Sequence, residues 1–322
     1  VRHRIQMSVT GTVHRQRWWP RLAPWIATPA LLGLLLPLQR AWIPGSGPLA
    51  WALDLFSNWQ PWYAAAWLCA CLLGASGNRR WLLGLPLVLL PFVTSSRMAP
   101  RMDGPADIVV AVANVNIRNS NPSALLAWLE QRPANLVVLS ELSPAYAETL
   151  QSQIPEHLRY HALHPLISPP GIGLLSDRPL HNVRVVPDGL GALRLEADIK
   201  VNDVDVRFIA IHPKPPLATR KHVARDKLIR NLSDATRGMP TIVAGDANAT
   251  PWSSALLGPH SRDLARITGL APTYPTEGGG ILGVSIDHVL VSPHFAMVQT
   301  ERGPDIGSDH LPVRGELRLM DK

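Results

Sequence analysis

Long apolar segments dominate the first third of the chain, and shorter apolar runs follow in the remainder. The long segments carry few charges and lie at residues 22–38, 59–75 and 81–93. Each is near the lower end of the ~17–25 residues that a helix needs to cross a bilayer. Tryptophans cluster near the segment ends, where indole rings favour the headgroup region. The pattern predicts about three transmembrane helices in a membrane region of residues 1–96.

The first apolar segment has a second interpretation, a cleaved signal peptide. Its prolines, Pro24, Pro29 and Pro37, fit such a peptide poorly, and apolar character resumes twice after it. A membrane span is therefore the preferred interpretation of this segment.

Charge separates the membrane region from the rest of the chain. Ten of the 31 basic residues but only one of the 24 acids, Asp54, precede residue 102, which leaves 21 basic and 23 acidic residues. The high isoelectric point therefore does not by itself indicate a nucleic-acid-binding surface. Because arginines concentrate before the first span, the N-terminus is expected in the cytoplasm. Three crossings would place everything after Arg97 outside the cell (inner) membrane, on its periplasmic or extracellular side.

Beyond the membrane region, the apolar pattern becomes that of an α/β domain. Residues 97–106 contain proline, glycine and arginine and are predicted to be a linker. From residue 107 onward, short buried-type runs alternate with amphipathic segments. Strands are predicted at residues 107–114, 135–139, 171–176, 183–186, 192–199, 204–211, 241–244, 285–292 and 311–317, and helices at 122–130, 143–153 and 217–237. This alternation predicts an α/β (α+β) domain at residues 107–322.

Polar residues recur where the predicted strands end. The run 241–244 stops at Gly245, which allows a sharp backbone turn, and Asp246 and Asn248 follow directly. Asp and Asn also occur in ordinary turns, so this pair alone is ambiguous. Similar clusters, nearly all at strand ends, complete the set Asn114, Glu141, His212, Asp246, Asn248, Asp287, Asp309 and His310. Strands that end at one edge of packed sheets would bring this set into a single site.

The motifs around these residues resemble those of the endonuclease/exonuclease/phosphatase superfamily, the metal-dependent phosphoesterases related to DNase I. The resemblance covers about residues 107–319. It rests on Ala113-Asn114-Val115-Asn116, Ser140-Glu141, Ile211-His212, Gly245-Asp246-Ala247-Asn248, Ile286-Asp287-His288 and Gly307-Ser308-Asp309-His310-Leu311-Pro312. It implies a four-layer α/β sandwich of DNase I-like type with two mostly antiparallel sheets.

The resemblance also implies a divalent-metal site. Glu141 corresponds to the principal carboxylate that binds Mg²⁺ or Mn²⁺, and Asn114 and Asp309 lie close to the ion. Mg²⁺ takes a few hard oxygen ligands of this kind and completes its shell with water and substrate phosphate.

Five further residues receive catalytic roles from the same resemblance. Asp246 would position and activate the attacking water. His310, oriented by Asp287, would contact the scissile phosphate, where a protonated imidazole offsets developing negative charge. Asn248 and His212 would donate hydrogen bonds to the phosphoryl oxygens.

The first functional hypothesis is a membrane-anchored phosphoesterase, either a phosphatase or a phosphodiesterase. A linker of about ten residues reaches at most about 35 Å, so the site would remain near the bilayer and lipid-linked phosphates are candidate substrates.

Two alternatives remain open. A membrane-tethered nuclease would need a basic groove, whereas the part of the chain after residue 101 is close to neutral. We also find no counterpart near residues 171–176 of the tyrosine that some nucleases use. A local basic surface could be formed by Arg220, Lys221, Arg225, Lys227 and Arg230. The third hypothesis is a catalytically silent membrane scaffold, and the sequence does not indicate an oligomeric state.

Overall fold

The chain forms a helical N-terminal region and an α/β body, in a computed structural model that describes residues 18–41, 43, 46–235, 238–257 and 263–320. The helices of the N-terminal region are α1 (Ala23–Leu35), α2 (Pro48–Ser57), α3 (Gln60–Ala75) and α4 (Leu90–Thr94). They are flanked by the 3₁₀ segments Trp19–Leu22, Leu36–Ala41 and Arg79–Leu89. Helices α1 and α3 pack together, and Gln60 Nε2 donates to the Gly33 carbonyl at 2.8 Å.

Only one helical stretch in the described part of the chain is long and apolar enough to cross a membrane. It comprises Trp19–Gln39, with 21 residues and a mean hydropathy of 1.5. The second predicted span forms α3, whose 16 residues cover about 24 Å of a ~30 Å hydrocarbon core. The third is mainly a 3₁₀ segment, in which Pro86 removes a backbone donor. The prediction of about three transmembrane helices is therefore wrong, since the structure offers one candidate.

Two six-stranded sheets form the body. Sheet one has the strand order β11-β12-β1-β2-β4-β3, and sheet two has the order β5-β6-β7-β8-β10-β9. The strands are β1 (Ile108–Asn114), β2 (Leu136–Ser140), β3 (Tyr160–His164), β4 (Ile172–Ser176), β5 (His181–Pro187), β6 (Leu193–Val201), β7 (Val204–His212), β8 (Thr241–Asp246), β9 (Ala265–Arg266), β10 (Asp287–Val291), β11 (Phe295–Arg302) and β12 (Val313–Leu319). The helices of the body are α5 (Ser123–Gln131), α6 (Pro144–Gln151), α7 (Thr219–Ala235) and α8 (Ser254–Leu257).

The sheets pack face to face and helices cover both outer faces. Side chains such as Val138 and Phe208 fill the space between the sheets. Leu129 of α5 packs on the outer face of sheet one, and Leu228 of α7 packs on that of sheet two. The predicted α/β class and the order helix, sheet, sheet, helix are confirmed.

Strand pairing explains why the polar strand ends meet. β1 and β2 run parallel, so Asn114 at the end of β1 lies beside the strand end that precedes Glu141. In the other sheet, β7 and β8 also run parallel and end at His212 and Asp246. β10 runs antiparallel to β8 and begins at Asp287, directly opposite Asp246. Both sheets therefore deliver polar residues to the same edge of the sandwich.

The segment predicted to be a linker is hydrogen-bonded to both sheets. Met98 forms a bridge with Arg266 of β9, and Arg101 forms one with Met297 of β11. The N–H of Ala99 donates to the Arg266 carbonyl at 2.9 Å. β9 and β11 are edge strands of different sheets. The domain boundaries stay a prediction, but these residues do not form an extended tether.

Candidate active site

A glycine-dependent bend at the end of β8 carries Asp246 into the site. Gly245 has a φ of 147°, and a Cβ atom there would lie 1.9 Å from the Ile211 carbonyl oxygen. Only glycine tolerates this approach. The Oδ1 atom of buried Asp246 accepts from the N–H of Asn248 at 2.8 Å. Asn248 has a φ of 46°, and its Nδ2 donates to the Pro213 carbonyl at 2.9 Å. The bend thus fixes both residues at the sheet edge.

Asn114 connects the polar residues of the two sheets. Its buried Nδ2 atom lies 3.1 Å from Asp246 Oδ2 and 3.3 Å from Glu141 Oε1. The Nε2 atom of His310 lies 3.4 Å from the same nitrogen. The Oδ1 atom of Asn114 accepts from the N–H of Asn116 at 3.1 Å, which fixes the orientation of the amide. Side chains that are far apart in sequence therefore meet around the Asn114 amide.

Glu141 and Asp309, two of the predicted metal ligands, line the same cleft as Asp246. Glu141 has a φ of 58°, a strained conformation that is concentrated at functional sites. Its Oε2 atom accepts from the N–H of Ile117 at 3.0 Å. The Oδ1 atom of Asp309 accepts from Asn116 Nδ2 at 2.8 Å. Both carboxylates are thus held in position at the cleft.

His310 is paired with a buried carboxylate. Its Nδ1 atom lies 2.8 Å from Asp287 Oδ2. Burial opposes a positive charge on the ring, but Asp287 and Asp246 outweigh it and raise the pKa of His310 to about 10. Burial likewise opposes ionisation of Asp287, but His310 outweighs it and lowers the pKa of Asp287. His310 is therefore protonated near neutral pH, with Nε2 3.8 Å from Asp246 Oδ2.

The pKa of Asp246 shifts in the opposite direction to that of Asp287. Burial raises the pKa of Asp246, and the negative charge of Asp287 raises it further. His310 and His212 lower it, but they do not outweigh the other two effects. His212 Nε2 lies 3.6 Å from Asp246 Oδ2, and His212 Nδ1 is buried without a hydrogen-bond partner among the described residues. A carboxylate of raised pKa is suited to accept a proton, and Nε2 is the ring nitrogen that His212 directs toward Asp246.

The neighbouring residue on β10, His288, belongs to the core rather than to the site. Successive strand residues point to opposite faces, so His288 faces away from the side chain of Asp287. Its Nε2 atom donates to the Ala249 carbonyl at 2.9 Å, and its Nδ1 atom lies 2.8 Å from Thr268 Oγ1. Burial and the charge of Arg266 lower the pKa of His288 to about 4. His288 is therefore a neutral structural residue.

Four carboxylates converge in the site, those of Glu141, Asp246, Asp287 and Asp309. Across the described ranges, none of their hydrogen bonds or ion pairs comes from a lysine or an arginine. Concentrated negative charge that lacks such a partner suits a divalent cation.

Two groups of side chains compete as ligands for that cation. Asp246, Asp287 and His310 place ligand atoms within 4.8 Å of one another. An ion among them would break the hydrogen bond between His310 and Asp287. Glu141 is only partly buried, and it and Asp309 present hard oxygens to the cleft. The Glu141 side therefore presents the hard oxygens that a divalent cation takes, and the identity of the ion and the assignment of individual ligands stay predictions.

Tyr274, an aromatic residue of the site, was not predicted from the sequence. The ring of Tyr274 lies 4.7 Å from that of His310, centroid to centroid, at an angle of 40°, and Tyr274 lines the cleft. Tyr274 forms a bridge with Val284 across an irregular loop. Because this loop is rich in glycine and proline, hydrophobic periodicity gives no signal there. The only indication is an aromatic residue shortly before Asp287 in the sequence.

The N-terminal region contributes to the site, and this contribution was not predicted from the sequence either. The cleft has a volume of about 900 Å³, and Leu55, Asn58 and Trp59 from the junction of α2 and α3 form part of its wall. Thr250 Oγ1 donates to Asn58 Oδ1 at 2.6 Å, across 192 positions in sequence. Contacts of this range leave no local pattern in a sequence.

The profile of the Endonuclease/Exonuclease/phosphatase family matches residues 111–310, which include all eight predicted site residues and end at the last of them, His310. The chain belongs to this family. A homolog of a cytolethal distending toxin component from Salmonella typhi is 38% identical over 82 residues, which are 24% of this chain and 29% of that protein. The chain thus matches less than a third of the length of this relative.

Several solved structures have a similar fold. Humanized D. rerio TDP2 has a TM-score of 0.56 and 16% identity, and the match covers 66% of this chain and 98% of that one. The 3' phosphatase NExo from Neisseria, bound to a product DNA hairpin, has a TM-score of 0.52 and 19% identity, and the match covers 66% of this chain and 99% of that one. The human Nocturnin catalytic domain has a TM-score of 0.54 and 17% identity, and the match covers 70% of this chain and 98% of that one. These similarities establish a DNase I-like two-sheet α/β fold.

Proposed function

We propose that this chain is a membrane-anchored, divalent-metal-dependent phosphoesterase that hydrolyses phosphate esters by in-line attack of an activated water. The observation that carries the proposal is the juxtaposition of Asp246, an acid of raised pKa, with protonated His310 around Asn114 in one cleft. Displacement at phosphorus needs both groups, because the nucleophile loses a proton and the leaving oxygen gains negative charge.

The side chains divide the proposed reaction between them. Asp246 orients the attacking water and accepts its proton. His310 donates from Nε2 to the phosphate, and Asp287 holds the ring through Nδ1. His212 and Asn248 lie beside Asp246 and complete the polar surface around the phosphoryl oxygens.

Mg²⁺ or Mn²⁺ would be held by the carboxylates of Glu141 and Asp309, with Asn114 close to the ion as the amide whose Nδ2 donates to Glu141. When bound, the ion acts as a Lewis acid toward a phosphoryl oxygen and adds several kcal/mol of charge stabilisation. The hydrogen bond from Ile117 N–H keeps the Glu141 carboxylate oriented for this role.

The proposal places the enzyme in the cell (inner) membrane, anchored by the helix Trp19–Gln39. Arginines before this helix favour a cytoplasmic N-terminus. A single crossing, like three, then places the body on the periplasmic or extracellular side. The N-terminal region supports contact with lipid, since Trp25 is 80% exposed, Leu83 81% and Val93 79%.

Lipid-linked phosphates are the proposed substrate class. Leu55 and Trp59, from helices that pack near the anchor, form part of the cleft wall. Leu217 also lines the cleft and is 71% exposed, and Ile167 is 92% exposed beside the lining residue Ser168. Apolar surface next to a phosphate site favours a leaving group that carries a hydrocarbon chain.

Nuclease activity is the second candidate, because similar structures include zebrafish TDP2 in complex with single-stranded DNA. Lys214 and Lys221 are the only lysine or arginine residues that line the cleft within the described ranges. Arg225 was predicted as part of a possible local basic surface, but this residue is 1% exposed and lies in an ion-pair cluster. The cleft thus offers little of the positive charge on which DNA binding depends.

Hydrolysis by the full chain in detergent micelles tests the proposal. Phosphate release is measured with Mg²⁺ for a lipid phosphate, a short-chain alkyl phosphate and a nucleotide, and cleavage is measured for DNA. Asp246→Asn is compared with Asp103→Asn, an exposed control that leaves the site intact.

We expect the highest kcat/KM for the lipid phosphate, its loss in Asp246→Asn and its retention in the control. Salt-sensitive DNA cleavage without release from phosphate monoesters would instead favour the nuclease. Absence of all hydrolysis with either Mg²⁺ or Mn²⁺ would leave the silent scaffold.

A further inference from the structure

A buried ionic cluster joins the N-terminal region to the body. Arg225 of α7 donates from Nη2 to Asp54 Oδ2 of α2 at 2.7 Å and to Asp226 Oδ1 at 2.7 Å. His222 Nε2 lies 3.3 Å from Asp54 Oδ2. All four residues are at most 1% exposed. Burial opposes the charge of Arg225, but Asp226 and Asp54 outweigh it and raise its pKa.

The same guanidinium contacts the active-site loop. Arg225 Nη1 donates to the carbonyl of Asn248 at 3.0 Å. Asn248 is in the left-handed conformation, and its own N–H binds Asp246 Oδ1 at 2.8 Å. A single planar group thus connects Asp54 to the residue that contacts the proposed base.

Residues of α2 and the turn after it also bind the rest of that loop. Asp54 accepts from Ser253 Oγ at 3.2 Å and from the N–H of Ser254. Ser57 Oγ donates to the Trp252 carbonyl at 3.2 Å. The loop between β8 and α8 is therefore bound along its length by a helix outside the α/β body.

We propose that Asp54 and Arg225 are positioning residues of the active site, through which the N-terminal region fixes the Asn248 loop in its reactive conformation. The proposal rests on the proposed function, because Asn248 acts in that site. A guanidinium can donate to Asp54, Asp226 and Asn248 at the same time, whereas a lysine ammonium at the end of a flexible chain cannot match these directions. Displacement of the loop by a fraction of an ångström would reduce turnover more than substrate affinity.

The experiment measures kcat and KM of the full chain in detergent for an aryl phosphate with saturating Mg²⁺. The variants are Arg225→Lys and Asp54→Asn, and Arg230→Lys is the control, the same substitution one and a half turns along α7. Thermal unfolding establishes that each variant is folded. Arg225→Lys keeps the positive charge at this position but removes the guanidinium. Asp54→Asn keeps the shape of the Asp54 side chain but removes its charge, while Asp226 still neutralises Arg225.

We expect kcat to fall by about 10- to 100-fold in Arg225→Lys, the loss typical of a small misplacement of catalytic groups. KM and the Mg²⁺ concentration for half-maximal rate should change less than about threefold, and Asp54→Asn should show an intermediate loss of kcat. The double variant should lose no more than Arg225→Lys alone, because both residues act through one contact.

Two results would overturn the positioning role. Folded variants with wild-type kcat would show that the loop does not depend on the cluster. A loss of kcat that only accompanies thermal unfolding, and is absent at temperatures where the variants are folded, would show that the cluster serves stability alone. Failure of the wild-type chain to hydrolyse any phosphate ester is a separate outcome, which overturns the proposed function as well.

Discussion

The Nδ1 atom of His310 lies 2.8 Å from the Oδ2 atom of Asp287, and both side chains are at least 95% buried. These residues come from the loop before β12 and the first position of β10, in different sheets. The hydrogen bond therefore requires the sandwich to be assembled, and it leaves Nε2 as the ring nitrogen on the Asp246 side.

Asp287→Asn should reduce kcat by about 100-fold or more, in the range found for loss of a positioned acid or base. The amide no longer stabilises the imidazolium, so the pKa of His310 falls from its raised position. Steady-state hydrolysis of an aryl phosphate by the full chain measures the loss. Asp103→Asn, an exposed substitution of the same type, should retain wild-type kcat. Equal activity of the two variants would remove the proposed role of Asp287.

Glu141→Gln should weaken metal binding while the fold is preserved. The amide retains one oxygen but loses the charge, so the Mn²⁺ dissociation constant should rise at least about tenfold, the loss typical even of an outer partner of a metal ligand. Isothermal titration calorimetry with Mn²⁺ measures this without an assay of activity. If Asp287→Asn weakens Mn²⁺ binding more than Glu141→Gln does, the ion lies instead among Asp246, Asp287 and His310.

Gly245→Ala should destabilise the protein and inactivate it. The new methyl group meets the Ile211 carbonyl oxygen, so we expect a loss of at least about 3 kcal/mol. This corresponds to a Tm roughly 6–12 °C lower, measured by thermal unfolding in detergent. Gly189→Ala is the matched control, because Gly189 also has a positive φ but has no atom near the added Cβ. Similar Tm losses in both variants would show that the lost stability comes from backbone strain at a positive φ and not from the close approach of β7 and β8.

Glu196→Gln should lower stability at neutral pH and have a smaller effect in acid. The buried Glu196 carboxylate pairs with Arg194 at 2.6 Å and with Arg184 at 2.6 Å. Burial opposes its ionisation, but the two arginines outweigh burial and lower the pKa of Glu196 below its usual 4.5. The pair therefore contributes stability above pH 4.5 that is lost as the pH falls through the lowered pKa.

The difference in Tm between wild type and Glu196→Gln should accordingly be larger at pH 7 than at pH 3.5. Glu130→Gln, on the exposed face of α5, controls for general effects of charge. A difference independent of pH would mean that ionisation of Glu196 does not stabilise the fold.

The α/β body was predictable because a polar residue follows each buried apolar run and so indicates where the strand ends. Each buried run of β1, β2, β7 and β8 stops at a polar residue, and parallel pairing brings those ends to one edge. The eight predicted site residues consequently lie around one cleft. Their individual roles remain predictions, since position alone does not identify which side chain binds an ion or transfers a proton.

The missed features depend on contacts that are distant in sequence. Tyr274 reaches His310 from an irregular loop, and Asp54 reaches Arg225 across 171 positions. Arg225 was predicted to be available for a local basic surface, because the charge pattern of α7 does not reveal a partner on α2. The number of spans was overestimated because hydropathy records apolar content, whereas the length of continuous helix decides what crosses a bilayer.

The most direct test of the central claim is hydrolysis in ¹⁸O-labelled water by the full chain with Mg²⁺, with mass spectrometry of both products. Attack of water at phosphorus, with Asp246 as the proton acceptor, predicts one ¹⁸O atom in the released phosphate, none in the alcohol, and no labelled phosphate above background with Asp246→Asn. Label in the alcohol, or labelled phosphate formed equally fast by Asp246→Asn, would contradict the account.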